Sequence, residues 1–375
     1  MEIADALQLA NKTIMAKIRL SGTVLGTDDP ARAARAKLLY LLFAGGWDIY
    51  NSNGDQRITL SNIEKKIVES DAFLFTPGAT LEDMFKAVSI FVGFQTLDRN
   101  LMGKPTIILN DDGTWDQFFA ILAHLKMLGA VLQEYENFLF MAKSPEAVLE
   151  MLDRVKAQGI PDSGRHRAAE SRTAFQEVPR PPQYFGSVCV FCSASLQDPG
   201  YLSDGMALGR ILAESQIGCV SGAGRSGIMG AVVKGSVDAG GWTAGSNVPH
   251  IIELEGLPDG LSSFWLRPDI YTRMEVMIEH SDAFVILPGG AGTVQELLAL
   301  MLFKHQGSSL MTGKPVVIYN RETANGVRFW DPVVSLLEKI CAPGDYSVTN
   351  DLEDILPTLR RGTDKLGQKQ ANLPS

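Results

Sequence analysis

The apolar positions of this chain fall in short unbroken runs, separated by stretches in which apolar residues recur at helical spacing. The run Asp71–Gly78 (DAFLFTPG) leads through a helical segment to a GKP turn and a second apolar run, MGKPTIIL at Met102–Leu109. The same order returns in the second half as DAFVILPG at Asp282–Gly289 and TGKPVVIY at Thr312–Tyr319. Continuous apolar runs predict strands buried on both faces, and their alternation with helices predicts parallel sheets with crossover helices.

The spacing within the two units agrees. From the proline of PG to the glycine of GKP is 26 residues in the first copy (Pro77 to Gly103) and 25 in the second (Pro288 to Gly313). Upstream, AKLLYLLFAGGWDIYNSNG from Ala36 parallels ALGRILAESQIGCVSGAG from Ala207, each an amphipathic helix running into a strand and a small-residue turn. The chain is therefore expected to hold two Rossmann-like α/β domains, parallel sheets with helices on both faces, the first a degenerate copy of the second. The second copy continues through GRSGIMGAVVKGSVDAGGWTAGS, a further turn, helix and strand, whereas only Asp55–Leu60 stands in the corresponding place of the first. The expected boundaries are 1–158 for the first domain, 159–184 for a polar, proline-ended linker, 185–361 for the second domain and 362–375 for a flexible tail.

The 375 residues suit two cores better than one. A formal net charge of -9 and a pI near 5.2 disfavour nucleic acid and anionic lipid as partners, while a local positive site for a small anion stays open. Met1–Leu20 carries charges where a signal peptide would be apolar, and no segment has the length and hydropathy of a membrane span, so a cytoplasmic protein is expected. Cys189 and Cys192 have CxxC spacing inside an apolar strand run and are read as buried thiols. His124, His166, His250, His280 and His305 form no metal-ligand spacing, and no metal or cofactor is expected.

Three small-residue turns carry the candidate chemistry. Pro288–Glu296 (PGGAGTVQE) joins a strand to a helix, with glycines that let a ligand approach the backbone and a helix start that offers free N–H groups and a positive dipole end. Gly222–Gly230 (GAGRSGIMG) and Cys192–Ser195 (CSAS) also follow strands. Turns at the carboxyl ends of neighbouring parallel strands meet in one crevice, which suits a nucleotide or sugar phosphate. One such turn alone is as easily a plain connection; three in one domain favour a site. No Walker loop is present, and GAGRSG follows the second strand of its domain, which argues against a dinucleotide site.

PGGAGTVQE, together with the arginine of YTRMEVMIEHSDAF, VCVFCSAS and GAGRSGIMGAV, resembles the LOG (Lonely Guy) phosphoribohydrolases, long labelled lysine decarboxylases. The resemblance covers most of the second domain. It implies hydrolysis of the N-glycosidic bond of nucleoside 5′-monophosphates, of AMP or cytokinin nucleotide type, to free base and ribose 5-phosphate. It also implies a dimer with sites near the subunit interface. The family's catalytic Arg and Glu fall on Arg273 and Glu296, 23 residues apart. Substrate and phosphate contacts are implied at Ser193, Ser195, Gly222, Gly224, Gly227, Met229, Gly289, Gly290, Gly292 and Thr293. This sequence departs from the family at Met274, where a lysine is usual, and at Ser193, where glycine is usual; Lys304 offers a replacement cation. In the first domain the turn reads PGATLED, Asn62 stands in the place of Arg273, and either Asp83 or Phe85 in that of Glu296. No hydrolysis is expected there; that half is expected to serve as an intrachain pseudo-partner of the second domain, in a chain that forms homo-oligomers. The alternative class is a non-catalytic nucleotide- or cofactor-binding carrier of the same fold. Nothing in these residues supports a decarboxylase.

Overall fold

The computed structural model describes residues 17–21, 30–51, 70, 72–98, 101, 104–131, 136, 138–158, 178–323 and 326–367. The chain divides into two compact units: unit 1 holds Met1–Lys126 and Val131–Arg165, and unit 2 holds Met127–Ala130 and His166–Ser375.

Unit 1 runs β1 (Lys17–Ser21), α1 (Pro30–Ala44), β2 (Asp48–Asn51), β3 (Ala72–Phe75), α2 (Leu81–Gln95), β4 (Thr106–Leu109), α3 (Asp116–Met127), β5 (Leu139–Ala142) and α4 (Pro145–Gln158). Its five strands form one sheet in the order β2-β1-β3-β4-β5, every neighbouring pair parallel. AFLF and TIIL are buried along their whole length, as continuous apolar runs require in a sheet covered on both faces. On one side, Leu38, Leu42 and Trp47 pack with Leu74, Ile107, Val148 and Leu152.

Unit 2 runs β6 (Gly186–Phe191), α5 (Pro199–Glu214), β7 (Ile217–Ser221), α6 (Gly227–Asp238), β8 (Thr243–Asn247), α7 (Pro249–Glu255), β9 (Ser263–Leu266), α8 (Ile270–Glu279), β10 (Ala283–Ile286), α9 (Ala291–His305), β11 (Val316–Tyr319), α10 (Asp331–Ile340), β12 (Ser347–Thr349) and α11 (Ile355–Gly362). Its strand order is β12-β11-β10-β6-β7-β8-β9, again all parallel. The first five positions repeat unit 1, with β6, β7, β10, β11 and β12 in the places of β1 to β5. Both units are α/β folds with parallel sheets, as the alternation of runs implies.

The duplication reaches side chains that the strand pattern alone does not reveal. At the carboxyl end of β4, Asn110 donates from Nδ2 to Asp116 (2.6 Å) and accepts from the Trp115 amide (3.1 Å). At the end of β11, Asn320 does the same with Asp331 (2.7 Å) and the Trp330 amide (2.7 Å). Each asparagine closes the strand onto the start of the next helix, satisfying buried polar groups that would otherwise cost about 1–3 kcal/mol apiece.

Three expectations change. Unit 2 exceeds the copy by two strands, β8 and β9, since SFWL at Ser263–Leu266 is a seventh strand that the reading of one extra unit omitted. Val178–Gln183, placed in the linker, is instead packed on unit 2. The Val178 amide donates to Ser263 Oγ (3.1 Å), and Arg180 reaches Ser187 (2.9 Å) and Asp282 (3.4 Å). The tail expected from 362 is docked through Gly367, with Leu366 fully buried and Lys365 paired to Asp282 at 3.2 Å. Asn62 and most of the expected linker lie outside the described residues. Among the described residues, no helix is long and apolar enough to cross a membrane.

Candidate active site

The three turns meet at the carboxyl ends of β6, β7 and β10, and their meeting is hydrogen-bonded. The Ser193 amide donates to Pro288 O (3.1 Å), and the Met229 amide, in the first turn of α6, donates to Ser193 O (3.0 Å). Gly227 opens α6 with φ +61°, and a Cβ there would lie 2.6 Å from the Ala194 carbonyl carbon, so the close packing of the β6 and β7 turns requires glycine.

Two of these turns use part of their donors internally. Ser193 Oγ accepts from the Ser195 and Leu196 amides, both at 3.0 Å. Ser193, expected to contact ligand, is thus the cap of its own turn, and its buried hydroxyl explains how serine replaces glycine here; Ser195 is exposed. In the β7 turn the Ala223 amide donates to Ser221 Oγ (3.2 Å) and the Gly224 amide to Met229 Sδ (3.0 Å). Met229 therefore supports the turn from beneath.

The β10 turn differs. Gly290 is the N-cap of α9 with no side-chain cap, and among the described residues no side chain accepts from the amides of Gly289, Gly290, Ala291 or Gly292. A Cβ at Gly292 would meet nothing within 4 Å, whereas one at Gly289 would run into Thr293, whose side chain is buried against that glycine. Open N–H groups at the positive end of a 15-residue helix form an anion seat.

Arg273 lies in the first turns of α8, whose start is fixed by Asp269 accepting from the Tyr271 and Thr272 amides, both at 2.8 Å. Its Nε donates to Ser246 O at the end of β8 (2.9 Å) and its Nη2 to Gly222 O at the end of β7 (3.0 Å). A Cβ at Gly222 would collide with Nη2, so this glycine makes room for the guanidinium. Met274 is buried, so the side chain after Arg273 belongs to the core. Lys304 does not replace a cation at the crevice. It stands at the far end of α9, about 20 Å from the turn at 1.5 Å per residue.

Glu296 projects from the second turn of α9 and is buried, 6% exposed. Burial raises its pKa to about 7, with Arg273 pulling the other way and Glu255 adding to the rise. Glu255, at the end of α7, escaped the sequence reading. It is half-buried, and its Oε2 lies 2.9 Å from where a Gly224 Cβ would stand, on the rim of the β7 turn. It sits in the acidic stretch IIELEGLPDG with no motif around it; only the fold carries it to the crevice. Cys189 and Cys192 are free, buried thiols whose pKa values are pushed well up by burial, as inert strand cysteines should be. Among the described residues no three His, Cys, Asp or Glu side chains form a metal cluster.

Fold and site together define a Rossmann-like α/β protein with one glycine-turn crevice, an open anion seat, and a buried carboxyl facing an arginine. Residues 229–354 match the family described as possible lysine decarboxylase. The chain is 32% identical over 186 residues to the cytokinin riboside 5′-monophosphate phosphoribohydrolase of Rhodococcoides fascians, covering 46% of this chain and 89% of that protein. It is 30% identical over 185 residues to an Arabidopsis thaliana enzyme of the same name, covering 48% and 82%. Among solved structures, the molybdenum cofactor binding protein of Rippkaea orientalis is 18% identical with a TM-score of 0.37, covering 47% of this chain and 96% of that one. The molybdenum cofactor carrier protein of Chlamydomonas reinhardtii is 19% identical with a TM-score of 0.36, covering 47% and 97%. The chain belongs, through unit 2, to the LOG family of cytokinin riboside 5′-monophosphate phosphoribohydrolases.

Proposed function

We propose that unit 2 hydrolyses the N-glycosidic bond of a nucleoside 5′-monophosphate, of cytokinin nucleotide or AMP type, releasing free base and ribose 5-phosphate. The observation that carries this reading is the pairing of the open helix start at Gly289–Gly292 with a buried carboxyl of pKa about 7 in the same helix. The phosphate takes the open amides. Glu296, protonated in half the molecules near neutral pH, gives its proton to the departing base nitrogen as the C1′–N bond breaks and its electron pair leaves with the base. The carboxylate so formed faces the oxocarbenium-like sugar and takes a proton from the water that adds to C1′, which restores the acid. Arg273, held by two strand-end carbonyls, offers its remaining donors to ribose or phosphate oxygens. Glu255 adds negative charge that keeps the proton on Glu296.

Incubation with a panel of nucleoside monophosphates, with free base followed by chromatography, tests this. Base release is expected from at least one substrate, with a fall of about 10²-fold or more in Glu296→Gln and Arg273→Ala. No release from any substrate overturns the reading; release that survives Glu296→Gln overturns the site.

Unit 1 is, in the same proposal, an intrachain pseudo-partner for unit 2, and whole chains associate further. Support comes from the duplication of the fold with the motif residues kept in unit 2 alone. Residues 178–367, which include the segments docked on unit 2, should be insoluble or weakly active when expressed alone; a soluble, fully active fragment would sink the idea.

A further inference from the structure

The PG turn of unit 1 has the same backbone donors as that of unit 2, and the amides of Gly78, Ala79, Thr80 and Asp83 are taken. The Gly78 amide donates to Asp112 Oδ2 (3.1 Å) and Thr114 Oγ1 (3.0 Å), and the Ala79 amide donates to Thr114 Oγ1 (3.4 Å). Asp112 Oδ1 in turn accepts from the Thr114 amide (3.0 Å) and hydroxyl (2.8 Å), which fixes the pair. One residue on, Thr80 caps α2. Its hydroxyl accepts from the Asp83 amide (3.2 Å), while Asp83 Oδ2 accepts from the Thr80 amide (3.2 Å) and hydroxyl (2.7 Å). A carboxylate, a hydroxyl and a capping box thus stand where unit 2 leaves amides open.

Helix register adds a second observation. α2 and α9 both span 15 residues, and counting from their N-caps, Thr80 and Gly290, sets Lys86 in the place of Glu296. Neither Asp83 nor Phe85 holds that place, because the unit 1 turn is one residue longer before its cap. Lys86 is buried and paired with Glu82, one turn earlier on the same helix. A fixed ammonium replaces the proton-carrying carboxyl.

We infer that the β4 loop is a built-in plug: Asp112 and Thr114 occupy the anion-binding donors of unit 1, so that this unit holds its turn without ligand and the chain binds one nucleotide. The nucleotide half of this statement rests on the proposed function; the plug itself does not. It excludes unit 1 as a regulatory nucleotide site at this turn. The internal carboxylate is covalently tethered and present at every ligand concentration, so free phosphate competes against an effectively intramolecular partner.

Amide hydrogen exchange on the full chain tests both halves, in a Glu296→Gln background that prevents turnover of added AMP. With AMP or inorganic phosphate, exchange in the segment Pro288–Thr293 should slow about tenfold, while Pro77–Asp83 stays unchanged and already protected. Without ligand, Asp112→Ala/Thr114→Ala should speed exchange in Pro77–Asp83 about tenfold, the loss of roughly one hydrogen bond's stabilisation, and the milder Asp112→Asn should do so to a smaller extent. In a chain with Glu296 intact, the double substitution should leave base release as in the parent. Slowing at Pro77–Asp83 by either ligand overturns the inference, as does unchanged exchange there in both variants. Absence of slowing at Pro288–Thr293 counts against the proposed function, and the ligand-free comparison still decides the plug.

Discussion

Units 1 and 2 share five strand positions, an asparagine clasp at the same strand end, and a PG turn feeding a 15-residue buried helix. They part at a few side chains. Unit 2 leaves its turn uncapped and buries Glu296 behind it; unit 1 fills the turn with Asp112, Thr114 and Thr80 and buries Lys86. The difference teaches which terms stabilise and which serve chemistry. With glycine at the N-cap, the missing cap side chain forgoes about a few tenths of a kcal/mol, which unit 1 has regained with Thr80. A buried carboxyl with a raised pKa forgoes more. Unit 2, the proposed hydrolase, is the one that leaves its helix start without a side-chain partner, as expected where a ligand supplies it.

The largest effect should come from disturbing the crevice of unit 2 at a position with no chemistry of its own. Gly222→Ala places a methyl group in the space of the Arg273 guanidinium, 3.1 Å from Met229 Cε, and breaks the bond from Arg273 to Gly222 O. Base release should fall about 10²-fold or more, equivalent to roughly 3 kcal/mol of transition-state stabilisation. The matching change in unit 1, Lys86→Gln, removes a buried charge from an ion pair and should leave the rate within about twofold while altering the melting temperature. Comparable losses from both substitutions, in steady-state rates measured side by side, would erase the division of labour between the units.

How far the residues foretold this depends on whether a signal is local. The strands around the two PG and GKP turns were legible because apolar runs such as AFLF, TIIL, AFVI and VVIY have no other stable place than a covered sheet. The glycine turns and Arg273 were legible through spacing along the chain. Four features were not. Glu255 reaches the β7 turn only because α7 folds back over it, which no spacing encodes. Lys86 was hidden by a one-residue difference in turn length, which slides the whole helix register. The commitment of Ser193 to its own turn depends on a hydroxyl rotamer, and a serine in a small-residue turn reads equally as cap or ligand contact. Strand β9 was missed because SFWL stands beside a glycine- and proline-rich stretch and has no counterpart run in unit 1 to mark it as a strand.

A smaller effect separates the two buried helix positions by pH. Folding raises the Glu296 pKa from 4.5 to about 7, so the native state binds this proton more tightly than the unfolded chain does. Its contribution to stability is therefore fully present below pH 4.5 and is lost as pH rises through about 7. Glu296→Gln removes that loss. Relative to the parent, the variant should gain about 1–3 kcal/mol between pH 5 and pH 8 in denaturant unfolding, while its base release is abolished. Lys86→Gln, at the matching position of unit 1, is the control measured beside it. The alkaline limb of the parent's rate profile should fall near pH 7, because only the protonated carboxyl can give a proton to the leaving base. A flat stability difference between pH 5 and pH 8 would mean that Glu296 ionises freely in the native state. Its burial would then not hold the proton, and the acid role would pass to another group.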